Sequence, residues 1–236
     1  MKIVFHSTAW KRPAITRLSF RALERLRGQF HDAGHETYVV VGVSDDESRS
    51  IAEDFGYRTE LTDNEPLGKK FDETMLAVMK YDFDYVIEYP SDTIVCEEYV
   101  DLVLDEMEFG SKVIQPKDVY LMDSKTLECR LLGLLPIHTN SARAISRDVI
   151  EALYAIKKQC YRRREGRNLD YHLHNDIYEV CRFHPVYLRS QTPLVIDVKS
   201  DVNMNKYSEF VGKMAMIEQE AYPVVELVGG FPEIVP

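Results

Sequence analysis

Four short strand-like runs punctuate the first ninety residues, and the segments between them carry helical periodicity. The runs are KIVFHST (2–8), ETYVVVGV (36–43), YRTEL (57–61) and FDYVIEY (83–89). They are rich in Val, Ile, Tyr and Phe, which pack well on a pleated surface. The first, second and fourth are nearly continuous in apolar character, as in strands buried on both faces. Between the first two runs, Pro13 sits where a helix tolerates a missing N–H. Ile15, Leu18, Ala22, Leu23 and Leu26 then recur at helical spacing, and Gly34 ends the segment. Residues 44–56 open on Ser44 with acidic residues behind it and stop at Gly56, a second helix. A third helix begins near Leu67. Seven elements therefore alternate between strand and helix. This order predicts an α/β fold, a mostly parallel sheet with helices on both faces. Ligands of such sheets sit beyond the carboxyl ends of the strands, where Thr8, Ser44 and Asp92 fall.

The second half is less regular. Residues 97–110 read as a helix. Residues 111–136 read as extended segments with a turn at 123–125. Residues 141–160 and 169–183 read as two helices, 184–190 as a strand and 205–222 as a last helix. No repeat, linker or low-complexity tract interrupts the chain. One domain over 1–236 with an irregular α+β C-terminal half is expected.

Composition removes several classes. The 236 residues are 45% hydrophobic and 29% charged, enough for an ordinary globular core. A net charge of −10 opposes broad, nonspecific nucleic-acid binding. The four cysteines form no CxxC pair, which argues against a zinc ribbon or disulfide framework and for a reducing compartment. No apolar run is long enough to span a bilayer, and MKIVFHSTAW lacks the pattern of a signal peptide. A cytoplasmic location is expected, in a bacterium or a phage-infected host.

Four motifs carry a resemblance: STAWKRP after the first run, EPLGKKFDETMLAVMKYDFDYVIEYPSDTIV, SARAISRDVIEAL, and VIDVKSDVNMNKY. In this order and spacing the chain resembles GT-A-type glycosyltransferases, family 2 in particular, in its small bacterial and phage form. The likeness is closest over the first 110 residues. It implies a nucleotide-sugar-binding half at 1–110 and an acceptor half at 111–236. It also implies transfer of a sugar, foremost from a UDP-sugar, to a hydroxyl of a carbohydrate, lipid-linked or nucleic-acid acceptor, with inversion.

The same resemblance assigns residues. Thr8, Arg12 and Pro13 wrap the nucleotide, and Ser44 with Asp45 meets the base or ribose. Lys69, ahead of Lys70, meets a base carbonyl or phosphate. Ser91 and Asp92 occupy the DxD-like motif, and Asp92 holds Mn²⁺ or Mg²⁺ against the diphosphate. Thr93 stands where the family usually has a second Asp. His138 and Arg143 line the sugar or acceptor, and Lys199, near Asp197, reaches the diphosphate. Asp176 is the first choice of general base and Asp170 the second.

Each residue also has a plainer reading. Asp92 and Ser44 are good helix N-caps. Lys69 and Lys70 form a solvated pair, although cations at a helix N-terminus oppose the dipole. DYHLHND (170–176) is a polar helix face, with His172 and Asp176 one turn apart. His138 and Arg143 lie in a surface loop, and Asp197 and Lys199 on a short edge strand. KKQCYRRREGR (157–167) is a solvated helix end, or a contact for phosphates that extends to a DNA acceptor. Two rival functions remain. A nucleotidyltransferase is disfavoured because HSTAWKRP has no glycine. A non-catalytic nucleotide- or partner-binding relative is favoured by Thr93.

Overall fold

A computed structural model of the chain describes residues 1–126, 129–132, 140–190 and 193–200. The first half follows the expected alternation: β1 (Lys2–Ala9), α1 (Pro13–Asp32), β2 (Glu36–Val43), α2 (Asp46–Asp54), β3 (Arg58–Leu61), α3 (Leu67–Val78) and β4 (Tyr85–Glu88). β1 pairs in parallel with β2 and β4, and β2 in parallel with β3. α1 buries Ile15, Phe20, Leu23, Leu26 and Phe30 along one stripe. Gly34 follows it with φ +83°, the left-handed region that glycine enters freely.

The chain continues through β5 (Thr93–Val95), α4 (Glu98–Phe109), β6 (Val113–Pro116), β7 (Val119–Asp123), β8 (Cys129–Leu132), β9 (Arg143–Ser146), α5 (Arg147–Lys157), α6 (Leu169–Cys181), β10 (Val186–Leu188) and β11 (Val195–Lys199). A seven-stranded sheet has the order β10-β6-β9-β4-β1-β2-β3, and a four-stranded sheet the order β5-β11-β7-β8. β9 runs antiparallel between β4 and β6. One core cluster joins residues of α1, α2 and α4 to one face of the large sheet. A second joins residues of α3, α5 and α6 to the other. The two-sided covering expected of a parallel sheet is therefore present.

Four expectations change. Residues 141–160 are not one helix: Arg143–Ser146 form β9, all four positions buried, and the helix starts at Arg147. A helix would turn some of those side chains to solvent, so tertiary burial overrides local propensity. Asp92 is not a helix N-cap, because Thr93–Val95 form a strand and α4 begins at Glu98. The N-cap of α2 is Asp45, not Ser44, its carboxylate accepting from the Ser48 amide at 2.8 Å. β11 is not an edge strand, since β5 and β7 flank it. The helix expected at 205–222 lies outside the described residues.

One glycine joins the halves. A Cβ on Gly68 would lie 2.1 Å from the Arg162 carbonyl oxygen and 2.8 Å from that of Glu165. The Gly68 amide donates to the Glu165 carbonyl at 2.8 Å. Only glycine lets the 158–168 loop close on the start of α3, and this sets the path of Gly166, Arg167 and Asn168 along the cavity described next.

Candidate functional site

A cavity of about 430 Å³ opens beyond the carboxyl ends of β1 and β4. Thr8, Arg12, Lys70, Asp92, Asp170 and Lys199 all line it. Five different segments converge there, as expected at the carboxyl edge of a parallel sheet.

Asp92 is held from two sides. The Thr93 amide donates to the Pro90 carbonyl at 3.0 Å, closing a turn after β4. The Asp92 carbonyl accepts from the Val198 amide at 2.7 Å, which docks β11 and so brings in Lys199. Arg12 Nη1 lies 2.5 Å from Asp92 Oδ2, and its Nη2 donates to Ser91 Oγ at 3.3 Å. Lys199 Nζ lies 2.5 Å from Asp197 Oδ2 and 4.0 Å from Asp92 Oδ2. Burial alone pushes the Asp92 carboxyl up, but Arg12 and Lys199 hold it below the usual carboxylate range. Burial, opposed by Lys199 and reinforced by Asp92, pushes the Asp197 carboxyl up to about 6.

Lys70, rather than Lys69, faces the cavity. Its ammonium donates to the Ala9 carbonyl at 2.8 Å and to Asn64 Oδ1 at 3.3 Å. Burial lowers its pKa to about 7. Lys69 turns away and pairs with Asp63 at 2.8 Å and Glu73 at 3.9 Å. Adjacent helical residues diverge by about 100°, so only one of the two can face the cavity.

The carboxylates of α6 divide in the same way. Asp170, near its N-terminus, lines the cavity. Burial raises its pKa while Arg143 and Lys199 pull it back. Asp176 lies about 240° further around the helix. It is 5% exposed, and Arg162 grips both its oxygens at 3.1 and 3.0 Å. Asp176 is thus held in an ion pair with Arg162, while Asp170 lines the cavity.

Behind Asp170 lies a buried network. Arg143 Nη2 lies 3.8 Å from Asp170 Oδ1. Its Nε donates to Glu88, and the Tyr161 hydroxyl donates to the other Glu88 oxygen. Arg143 and Glu88 are each 1% exposed at the side chain, so Arg143 supports the site from beneath rather than lining it. Burial, against the pull of Arg143, lifts Glu88 to about 7.

The other expected residues separate. Pro13 is the first residue of α1 and Ser91 is fully buried beside Arg12; neither lines the cavity. Ser44 Oγ is buried without a hydrogen-bond partner and does not line the cavity. His138 lies outside the described residues. Trp10, Asn64 and Asn140 line the cavity without having been singled out in the sequence, and Arg167, the last residue of the basic run, lines it too. Trp10, the chain's sole tryptophan at the end of the first strand, was the one legible signal. Within the basic run, Arg162 pairs with Asp176, Arg163 with Glu73 at 2.6 Å, and Lys157 with Glu179 at 2.8 Å. Three of its six basic residues are therefore paired within the chain.

Among the described residues, a divalent cation would find one cavity-lining carboxylate, Asp92, at the motif and would depend on phosphate oxygens and water for its other ligands. Mn²⁺ and Mg²⁺ call for several oxygen ligands. Among the described residues, no three His, Cys, Asp or Glu side chains converge on a metal-sized point. Asp92 Oδ2 already carries Arg12, with Lys199 nearby. Thr93 is fully buried and its hydroxyl lies 3.5 Å from Ser141 Oγ.

The order β3-β2-β1-β4, extended by antiparallel β9 and accompanied by a small second sheet, makes a GT-A-like α/β fold. It is similar in fold to two structures of S. aureus TarS. With TarS 1–349 the TM-score is 0.59 at 13% identity, covering 84% of this chain and 60% of that one. With a second TarS structure it is 0.56 at 15% identity, covering 85% and 37%. The chain thus spans little more than a third to three fifths of these proteins. Its sequence matches no family model and no curated protein. Among the described residues, no helix is long and apolar enough to cross a membrane.

Proposed function

We propose that the chain transfers a sugar from a nucleotide-sugar donor, foremost a UDP-sugar, to an acceptor hydroxyl. One observation carries this reading: two cationic side chains (Arg12, Lys199), a lysine that titrates near neutrality (Lys70) and a carboxylate with a raised pKa (Asp170) face one cavity. Its 430 Å³ lies within the range of small-molecule sites. The cations suit a diphosphate. The carboxylate suits a hydroxyl that must lose its proton.

The reaction is a single displacement. The acceptor oxygen attacks the anomeric carbon and Asp170 takes its proton. The anomeric C–O bond breaks, its electron pair leaves with the diphosphate, and the configuration inverts. The acceptor is a carbohydrate, a lipid-linked sugar or a nucleic acid. For DNA, Arg164 and Arg167 are the arginines of the basic run not tied up in the ion pairs above. A second reading, a nucleotide-binding protein without turnover, is favoured by Asp92 already being neutralised by Arg12.

A thermal-shift panel of nucleoside diphosphates and nucleotide sugars tests the donor site. A ligand at a hundred times its Kd stabilises by about 2.7 kcal/mol, roughly 5–10 °C for a chain of this size. One base, expected to be uracil, gives the largest shift. A panel with no shift, with or without Mn²⁺, removes the donor reading.

A further inference from the structure

We propose that the donor's diphosphate is neutralised by Lys199 and Arg12, supported by Lys70, and not by a divalent cation. The inference rests on the nucleotide-sugar reading and specifies its ligand chemistry. Both cations belong to built positions. β11 is interior to its sheet, and backbone bonds fix it at Val198 (to Asp92) and at Lys199, whose carbonyl accepts from Ser124 at 2.9 Å. Lys199 is 8% exposed and still lines the cavity, so its ammonium points inward along a rigid strand. Arg12 follows Lys11, which takes a left-handed conformation at φ 49°, uncommon for a residue with a side chain. That turn aims the guanidinium at Asp92.

The anions these cations now touch are placed to hold them ready. Asp197 grips Lys199 at 2.5 Å and Asp92 grips Arg12 at 2.5 Å. A phosphate entering the cavity gives each cation a second acceptor, and charge-assisted hydrogen bonds to phosphate are strong. The motif itself offers a metal a single carboxylate, Asp92. Thr93, in the second acidic place, is a strand residue paired with Asp197 across β5 and β11. A divalent ion at Asp92 would sit beside Arg12 and near Lys199, at a cost in like-charge repulsion. As the anomeric C–O bond breaks, its electron pair settles on the terminal phosphate oxygen. Lys199 then meets that charge.

Isothermal titration of the full chain with UDP, or with whichever nucleoside diphosphate the thermal panel selects, tests this in EDTA and again in Mn²⁺. The affinities in the two buffers are expected to agree within a few-fold. Lys199→Gln is expected to weaken binding in EDTA by about tenfold or more, while Lys199→Arg retains it. Arg12→Gln is the second probe should Lys199→Gln fail to fold. Binding that needs Mn²⁺, or a folded Lys199→Gln that binds like the parent, overturns the inference and leaves the nucleotide-sugar reading standing. No binding of any nucleoside diphosphate in either buffer overturns both.

Discussion

Asp170→Asn is expected to lower sugar transfer by about 10²–10⁴-fold, the usual contribution of a general base, with nucleoside diphosphate affinity nearly unchanged. The amide keeps the size of the carboxylate but cannot accept the hydroxyl proton. Asp170 lines the cavity, whereas its neighbour in sequence, Asp176, is locked to Arg162. Asp176→Asn should therefore lower the melting temperature and spare the turnover number of the folded fraction. Single-turnover rates and nucleotide titration on both variants separate the two roles. A fully active Asp170→Asn variant would move the base to another residue.

Arg143→Ala is expected to destabilise the chain by about 3–5 kcal/mol, because it strands Glu88 in the core without its cation. At this length that is a drop of roughly 6–20 °C in melting temperature. Glu88 is wholly buried, and Tyr161 would be its remaining partner. A second consequence follows at Asp170. Its pKa is raised by burial and restrained by Arg143 at 3.8 Å. Removing that cation raises the pKa further. Asp170 then becomes a carboxylate only at higher pH, and the acid limb of the pH–rate profile moves up. Urea unfolding and a pH–rate profile of the folded variant check both effects. A variant as stable as the parent would mean that Glu88 finds another partner or stays neutral.

The first half of the fold was legible because its signals are local. Apolar runs such as ETYVVVGV and the periodic stripe of α1 need no distant partner to be recognised. β9 was missed because RAIS runs directly into a helix, and only β4 and β6 on either side make it a strand. β11 read as an edge for the same reason, since its neighbours lie some 75 to 100 residues earlier. Thr8, Arg12, Asp92 and Lys199, picked from strand ends and motif order, all line the cavity. Helix phase decides which expected residues meet the cavity. Lys69 against Lys70, and Asp176 against Asp170, differ only in which side of a helix meets the cavity. The Glu88–Arg143 pair spans 55 residues, a separation that leaves no local trace in the sequence.

Release of nucleoside diphosphate from a bound nucleotide sugar is the most direct measurement, with the fate of the sugar followed by mass spectrometry. The purified chain is expected to release nucleoside diphosphate above the buffer rate, to pass the sugar to an added hydroxyl acceptor or to water, and to lose this activity as Asp170→Asn. Tight binding of the nucleotide sugar with no release under any acceptor condition would contradict transfer, and would make the cavity a binding site for an intact nucleotide sugar.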